Sequence, residues 1–272
     1  MPELPEVETV RKVLKKQILN KEIEDVIIYY PKMLDNKGEE FRKILKKNKF
    51  INIDRKGKWL IFELENHYLL SHLRMEGKFF IKNSNEEHLK HEHIIIRFTD
   101  KTDLRYHDVR KFGRMKVIEK DKLNDTIEIK KQGKEPFDKD LESKYLLEKF
   151  KDKKIPIKTT LLNQEIISGL GNIYADEVLF ASGIYPLRET SKVTKGECDK
   201  IIRASKEILT KAIKEGGTTI RSYTSSLGVS GNYQNYLSVH KKEGKPCGKC
   251  RFIIKKIKVN GRSTYYCPNC QK

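Results

Sequence analysis

The chain has 272 residues and a mass of 31.9 kDa, and its 57 Lys and Arg against 38 Asp and Glu give a formal net charge of +19. This length suffices for about one to three domains with real cores. The charge favours a polyanionic partner such as nucleic acid over a small-molecule substrate, although a lysine-rich proteome would produce the same surplus. The sequence has no apolar run of membrane-spanning length and no secretory signal pattern, so we expect a cytoplasmic protein without a membrane partner.

The first predicted element is a helix that follows the opening residues MPELPEVETV. Apolar residues recur at Val7, Val10, Leu14 and Ile18, which is the spacing of one helix face. Proline at a helix start and glutamate in the first turn are both favourable. Ordinary helix capping is therefore one explanation of the crowded prolines and glutamates.

Short strand-like segments then occupy residues 23–119. They are rich in β-branched and aromatic residues, Gly, Asn and Asp separate them, and GEEFRKILKK interrupts them as a predicted helix. The pattern predicts a two-layer antiparallel sandwich or barrel. The segments are EDVIIYY, FINID, WLIFELE, YLLSHL, KFFIK, HIIIRF, LRYHD and MKVIE.

Helical patterns dominate the second half of the chain, notably in NIYADEVLFASGIYP and in KGECDKIIRASKEILTKAIKEGG, which ends in a Gly pair. Residues 216–238 have no clear period and many Gly, Ser and Thr, which predicts a long polar loop that is either functional or an ordinary surface loop. The predicted fold class is α+β. Its parts are an N-terminal β-sandwich domain at 1–130, a linker at 131–150, a helical domain at 151–238 and a small terminal unit at 239–272.

The terminal unit contains the two pairs Cys247, Cys250 and Cys267, Cys270, each with two residues between its cysteines. Four thiolates at this spacing suit one closed, tetrahedral and therefore structural zinc site, with an iron–sulfur cluster as the alternative. Between the pairs, Asn260-Gly261 predicts a two-residue hairpin turn with basic flanking strands. Zinc would supply the folding energy of so small a unit.

Five stretches in this order carry a family resemblance: MPELPEVE, HLRMEG, DVRKFG, GLGNIYADE and the four-cysteine finger. Together they resemble the bacterial formamidopyrimidine-DNA glycosylases over essentially the whole chain. The resemblance implies a β-sandwich, a helix–two-turn–helix domain and a zinc finger. It also implies that the protein is a monomeric DNA glycosylase and AP lyase. The implied substrates are oxidised purines, such as 8-oxoguanine and formamidopyrimidines, opposite cytosine in double-stranded DNA. After base removal, the enzyme would cleave the strand by β,δ-elimination.

The resemblance assigns the nucleophile to Pro2. Once Met1 is removed, Pro2 has a free secondary amine, and a chain-terminal amine titrates near pH 7.7–8.0, well below lysine. Its attack on the sugar C1′ would form a cationic iminium that draws electrons during strand cleavage. Glu3 would transfer protons, Glu6 would hold the first helical turn, and Lys58 would contact the phosphate beside the lesion.

Further residues match the family's DNA contacts. Met75, Arg110 and Phe112 match the side chains that fill the gap left by the extruded base, although without the resemblance Met75 and Phe112 would pass for turn or core residues. Three residues match the family's phosphate contacts. A fourth residue stands where many relatives have a tyrosine that contacts phosphate, and we expect this fourth residue to contact phosphate with altered affinity. These four are His72, Asn172, Arg262 and, at the tyrosine position, His240.

The loop at 216–234 matches the family's lesion-recognition loop, whose main-chain amides cup the flipped base. The residues expected near the base are Thr218, Ile220, Arg221, Ser222 and Tyr223, together with Glu76 from HLRMEG.

Two other functions fit parts of the sequence. An endonuclease VIII-like enzyme for oxidised pyrimidines would use the same terminal proline, but such enzymes typically carry Gly in place of Leu4 and lack the Met-Arg-Phe set. A non-enzymatic zinc-finger DNA-binding protein would explain the charge and the cysteines but not PELPEVE.

Overall fold

The computed structural model describes residues 1–218 and 231–272. It divides into two compact units, the first formed by residues 1–130 with 216–231 and the second by residues 131–215 with 232–272. Among the described residues, no helix is both long and apolar enough to cross a membrane.

The first unit begins with helix α1, Leu4–Ile18. Proline in the first turn fixes a helical backbone angle at a position whose N–H would have no partner within the helix. The predicted apolar face of Val7, Val10, Leu14 and Ile18 is buried, so the helix prediction is confirmed.

Eight strands follow α1 in the described part of the first unit, and each falls on a segment that the sequence predicts. Four form one antiparallel sheet in the order β1-β6-β7-β5, and the other four form a second in the order β2-β3-β4-β8. One core cluster contains residues of both sheets, of α1 and of α2, which makes this unit a two-layer sandwich with a helix at its start. The bounds are β1 Ile23–Ile28, α2 Gly38–Leu45, β2 Asn52–Lys56, β3 Trp59–Glu63, β4 His67–His72, β5 Lys78–Asn83, β6 Glu92–Phe98, β7 Thr102–His107, β8 Arg114–Glu119 and α3 Ile127–Lys130.

The second unit is helical up to its terminal hairpin. Thr194 and Glu197 form a capping box that starts the longest helix, α7, whose buried face includes Ile201 and Leu209. Residues 131–150, expected as a linker, belong to this unit, where helix α4 packs on α7. The bounds are α4 Ser143–Phe150, α5 Ile157–Leu161, α6 Asn172–Ser182, α7 Lys195–Lys214, β9 Lys255–Val259 and β10 Arg262–Tyr266.

The predicted turn at Asn260-Gly261 joins β9 to β10. Both residues have positive φ, 45° and 74°, as a two-residue hairpin of the favoured twist requires. The α+β fold class with a sandwich, a helical domain and a four-cysteine terminal unit is therefore confirmed.

Candidate active site

The start of the chain lies in a charged and largely buried part of the first unit. Pro2 is buried, and the side chain of Glu3 is 2% exposed. Burial lowers the pKa of the Met1 α-amine below its ordinary value, and Lys58 lowers it further. The carboxylates of Glu3, Glu6 and Glu76 act in the opposite direction without reversing the shift. An amine in this position is more readily neutral, and thus nucleophilic, than a solvent-exposed one.

Glu6 connects the first helical turn to the residues that follow α7. Its Oε2 accepts a hydrogen bond of 2.8 Å from the Glu3 N–H, which is the capping contact that the sequence suggests. Its Oε1 accepts bonds from the Thr218 N–H at 2.8 Å and from the Thr218 hydroxyl at 3.1 Å. A Cβ at Gly217 would lie 2.8 Å from that same Oε1, so this close approach needs glycine. Capping therefore accounts for Oε2 of Glu6, while Oε1 binds Thr218 of the predicted recognition loop.

Glu8, the last glutamate of the opening stretch, forms ion pairs that stabilise the fold. Burial raises its pKa, but hydrogen bonds and charge from Arg11 and Arg55 outweigh that effect and hold the pKa below its ordinary value. The Oε1 of Glu8 lies 2.7 Å from Arg11, and its Oε2 lies 3.2 Å from Arg55 on β2. Glu8 thus ties α1 to the sandwich as an ionised group.

Lys58 and His72 stand at the ends of neighbouring strands. Lys58 occupies the two-residue turn between β2 and β3 and is 4% exposed, and His72 is the last residue of β4. Burial, with help from the charges of Arg74 and Lys58, lowers the pKa of His72 to about 3. The Arg74 N–H donates to His72 Nδ1 at 2.9 Å, so the ring hydrogen of the neutral imidazole is on Nε2. His72 can therefore offer a phosphate an uncharged N–H donor.

This protonation state leads to a prediction about salt. Replacing His72 with leucine removes the donor but no charge, so DNA affinity should fall while the slope of log K against log salt stays unchanged. Replacing the exposed Arg262 with methionine should lower affinity and also reduce that slope by about 0.9, because one fewer counterion is released. Fluorescence anisotropy titrations at several salt concentrations measure both slopes. A smaller slope for His72→Leu would contradict a neutral His72.

The three predicted gap-filling side chains lie on two loops of the first unit. Met75 lies between β4 and β5, and Arg110 and Phe112 lie between β7 and β8. The Met75 and Phe112 side chains are 36% and 49% exposed, so neither is a core residue of the sandwich. The Arg110 guanidinium lies 4.7 Å from the centre of the Phe112 ring, so these two side chains form a cation–π contact.

The second unit brings two of the predicted phosphate contacts together. Asn172 is the first residue of α6, and its Nδ2 donates to the carbonyl oxygen of Ser263 at 3.0 Å. Arg262 is the neighbouring residue on β10 and is exposed. The start of α6 and the hairpin therefore lie side by side, which suits a shared anion.

His240 lies among buried charges. It is 5% exposed, its Nδ1 lies 2.7 Å from Asp176 Oδ2, and Asp176 Oδ1 lies 2.7 Å from Lys158 Nζ. A phosphate contact by this side chain would have to use Nε2. The adjacent Glu177 accepts hydrogen bonds from the backbone N–H groups of residues 238–240. Sequence reasoning missed Lys158, Asp176 and Glu177, although two acidic residues inside the apolar helix NIYADEVLF signal buried partners.

The four predicted zinc ligands converge. The Sγ atoms of Cys247 and Cys270 are 3.9 Å apart, those of Cys250 and Cys267 are 3.4 Å apart, and all four lie within 4.8 Å of one another. A tetrahedral zinc with bonds of about 2.3 Å separates its sulfurs by about 3.8 Å, so the set fits one zinc ion. With four protein ligands the site would be closed to substrate.

Of the remaining predicted residues, Thr218 is buried beside Glu6, and Glu76 is half-buried in the loop that carries Met75. Four predicted lesion-binding residues lie outside the described part of the chain. These are Ile220, Arg221, Ser222 and Tyr223.

Comparison with known protein families gives three matches in chain order. Residues 1–115 match the formamidopyrimidine-DNA glycosylase N-terminal domain, residues 132–224 match the formamidopyrimidine-DNA glycosylase H2TH domain, and residues 244–272 match a zinc finger found in FPG and IleRS.

Individual relatives match over the full length of the chain. A formamidopyrimidine-DNA glycosylase of Bacillus cereus is 45% identical over 100% of this chain and 99% of its own length. One from Listeria monocytogenes is also 45% identical, over 100% of both chains.

The fold of this chain is also similar to those of solved structures. Lactococcus lactis Fpg in complex with DNA containing an abasic site has a TM-score of 0.94 and 42% identity, over 99% of both chains. The wild-type Lactococcus lactis Fpg (MutM) bound to N7-benzyl-Fapy-dG DNA has the same TM-score and identity, over 100% of both chains.

Proposed function

This chain belongs to the formamidopyrimidine-DNA glycosylase family, and from that premise we propose that the secondary amine of Pro2 is the nucleophile of base excision. As a family member the protein is a DNA glycosylase and AP lyase for oxidised purines, and its four cysteines can bind one zinc ion. The observation that carries the proposal is the position of the chain start, where Pro2 is buried and the α-amine ahead of it lies within electrostatic reach of Glu3, Glu6, Lys58 and Glu76.

The chemistry runs through a covalent intermediate. Removal of Met1 frees the Pro2 nitrogen, which attacks C1′ of the damaged nucleotide and breaks the glycosidic bond. The base leaves with a proton, and the sugar ring opens to give an iminium between Pro2 and C1′. Loss of the C2′ proton then expels the 3′ phosphate, and a second elimination expels the 5′ phosphate.

Glu3 is the acid and base of these steps. Its carboxylate adjoins the nucleophile and is shielded from water, so it can deliver and remove protons at the sugar. Glu6 fixes the turn that carries Pro2 and Glu3 through its bond to the Glu3 N–H. Lys58, in the turn beside His72, contacts the phosphate next to the lesion.

The remaining residues bind the distorted duplex. Met75, Arg110 and Phe112 fill the gap left by the extruded nucleotide, and the planar guanidinium of Arg110 suits the edge of the orphaned cytosine. The phosphate contacts are His72, Asn172, Arg262 and, through Nε2, His240. The lesion is bound by Glu76 and the recognition loop, with Thr218, Ile220, Arg221, Ser222 and Tyr223.

The enzyme acts as a monomer on chromosomal DNA in the cytosol.

Excision assays test the substrate class. The proposal predicts cleavage of a duplex with 8-oxoguanine opposite cytosine and little cleavage of one with thymine glycol. Borohydride should trap a covalent adduct on the first duplex with the processed protein, and the adduct should be lost in Pro2→Gly. Preference for thymine glycol would favour the endonuclease VIII-like activity. Binding without any adduct, by protein lacking Met1, would refute the proposed nucleophile.

A further inference from the structure

The two loops that carry the exposed side chains run side by side because of the sheet topology. One loop leads from β4 to β5 and the other from β7 to β8, so each crosses between the two sheets. β4 pairs with β8, and β5 pairs with β7, so both loops connect the same two pairs of neighbouring strands. We refer to residues 73–77 as the Met75 loop and to residues 108–113 as the Phe112 loop.

Each loop has its own internal hydrogen bonds. In the Met75 loop, the Gly77 N–H donates to the Leu73 carbonyl oxygen at 2.9 Å. In the Phe112 loop, the fully buried Asp108 carboxylate accepts the Arg110 N–H at 3.0 Å and the Gly113 N–H at 2.8 Å. Asp108 thus bonds to both ends of the segment that carries Arg110 and Phe112. These bonds shape each loop separately but do not set the distance between the loops.

One side chain lies against both loops. Tyr106, on β7, is 1% exposed and pairs with Phe79 of β5, so it comes from the strands that support both loops. A Cβ at Gly113 would overlap the Tyr106 hydroxyl and come within 2.7 Å of Cζ, and a Cβ at Gly77 would overlap the same hydroxyl and lie 2.8 Å from Cζ. Both glycines therefore pack against the hydroxyl end of the Tyr106 ring, and a side chain at either position would collide with it.

We propose that Tyr106 is a positioning residue that holds the Met75 loop and the Phe112 loop at a fixed separation, so that Met75, Arg110 and Phe112 enter the DNA as one rigid wedge. The inference rests on the proposed function, in which these three side chains fill the gap in the base stack. If the two loops moved independently, the side chains of each loop would have to be ordered separately when the damaged base is extruded from the duplex. A shared buried spacer keeps both loops in place beforehand, which lowers the ordering cost of base extrusion.

The test compares a substrate that needs the wedge with one that does not. An abasic site in single-stranded DNA has no stacked partner strand and thus no gap to fill, whereas 8-oxoguanine in a duplex must be extruded. Tyr106→Phe should lower single-turnover excision from the duplex by about 10-fold and Gly113→Ala by about 100-fold, as expected for an ångström-scale displacement. Borohydride trapping on the single-stranded abasic site should stay within about 2-fold of wild type.

A double variant tests the contact itself. The atoms nearest to a Cβ at Gly113 all belong to Tyr106. Removing the Tyr106 hydroxyl should therefore relieve part of the clash that Gly113→Ala creates. Gly113→Ala should therefore cost less in the Tyr106→Phe background than in the wild type. Gly38→Ala is the matched control, because a Cβ there meets only Ile28 at an ordinary 3.6 Å. It should leave both activities unchanged.

Phe112→Ala separates failure of this inference from failure of the proposed function. If Phe112→Ala lowers duplex excision and Tyr106→Phe does not, the spacer role is overturned while the wedge stands. If Phe112→Ala has no effect on duplex excision, both the proposed wedge and the proposed spacer role of Tyr106 are overturned. If Tyr106→Phe lowers both activities equally along with the melting temperature, the residue only stabilises the fold and the inference is overturned. Selective loss of duplex excision supports it.

Discussion

Glu3→Gln is expected to abolish base excision while leaving DNA binding intact. The substitution keeps the size of a side chain that is 2% exposed and removes only its ability to exchange protons beside Pro2. General acid–base catalysis contributes about 10²-fold to 10⁴-fold, so single-turnover excision of 8-oxoguanine should fall by that factor. Gel-shift or anisotropy measurements should give an affinity within about 2-fold of wild type.

Glu8→Gln is the control for that experiment. It makes the same chemical change inside α1, a short distance beyond the N-cap residue Glu3, but Glu8 pairs with Arg11 and Arg55 and has no assigned step in the reaction. The control should lower stability slightly, with excision close to wild type once the protein is folded. Normal turnover by Glu3→Gln, or equal losses in both variants, would remove Glu3 from the mechanism.

Loss of zinc is expected to remove DNA affinity before it affects the sandwich unit. Four thiolates hold the two knuckles on either side of the β9–β10 hairpin, and zinc binding contributes about 10–16 kcal/mol to the folding of comparable small sites. Without it the hairpin should unfold and release Arg262 from its place beside Asn172. Cys247→Ser or a chelator should therefore weaken DNA binding by about 100-fold, with the β-sheet signal of the first unit retained.

Cys198→Ser is the matched control for zinc loss. Cys198 is fully buried on α7, burial raises its pKa to about 12, and it is not one of the four clustered thiols. This variant should keep its zinc, measured by atomic emission, and its DNA affinity. Unchanged affinity in Cys247→Ser after verified zinc loss would refute the link between the finger and DNA binding.

Local sequence signals were sufficient to predict most of the fold. The period of Val7, Val10, Leu14 and Ile18 predicted α1, the alternation of short apolar segments predicted all eight strands of the sandwich, and Asn260-Gly261 predicted the turn of the terminal hairpin. Each of these signals is local, because a period of apolar residues, a run of strand-forming residues or a turn dipeptide can be recognised without knowing its distant contacts. The cysteine spacing likewise predicted the four-sulfur cluster.

The contacts that hold the sites together were not predictable in this way, because they join residues far apart in the chain. Glu6 binds Thr218, which follows it by 212 positions, and Lys158 bonds to Thr264. Tyr106 is an ordinary core aromatic until the sheet order brings Gly77 and Gly113 against its hydroxyl. The sequence predicts His240 as a phosphate contact at the family's tyrosine position, but its burial beside Asp176 depends on the packing of α6.

The most direct test of the mechanism is to map the atom that bonds to the sugar. The processed protein is incubated with an 8-oxoguanine duplex and borohydride, digested, and analysed by tandem mass spectrometry. The proposed mechanism predicts a protein that has lost Met1 and carries the reduced deoxyribose fragment on the nitrogen of Pro2. A fragment attached to Lys58 or to any other side chain would contradict the central claim.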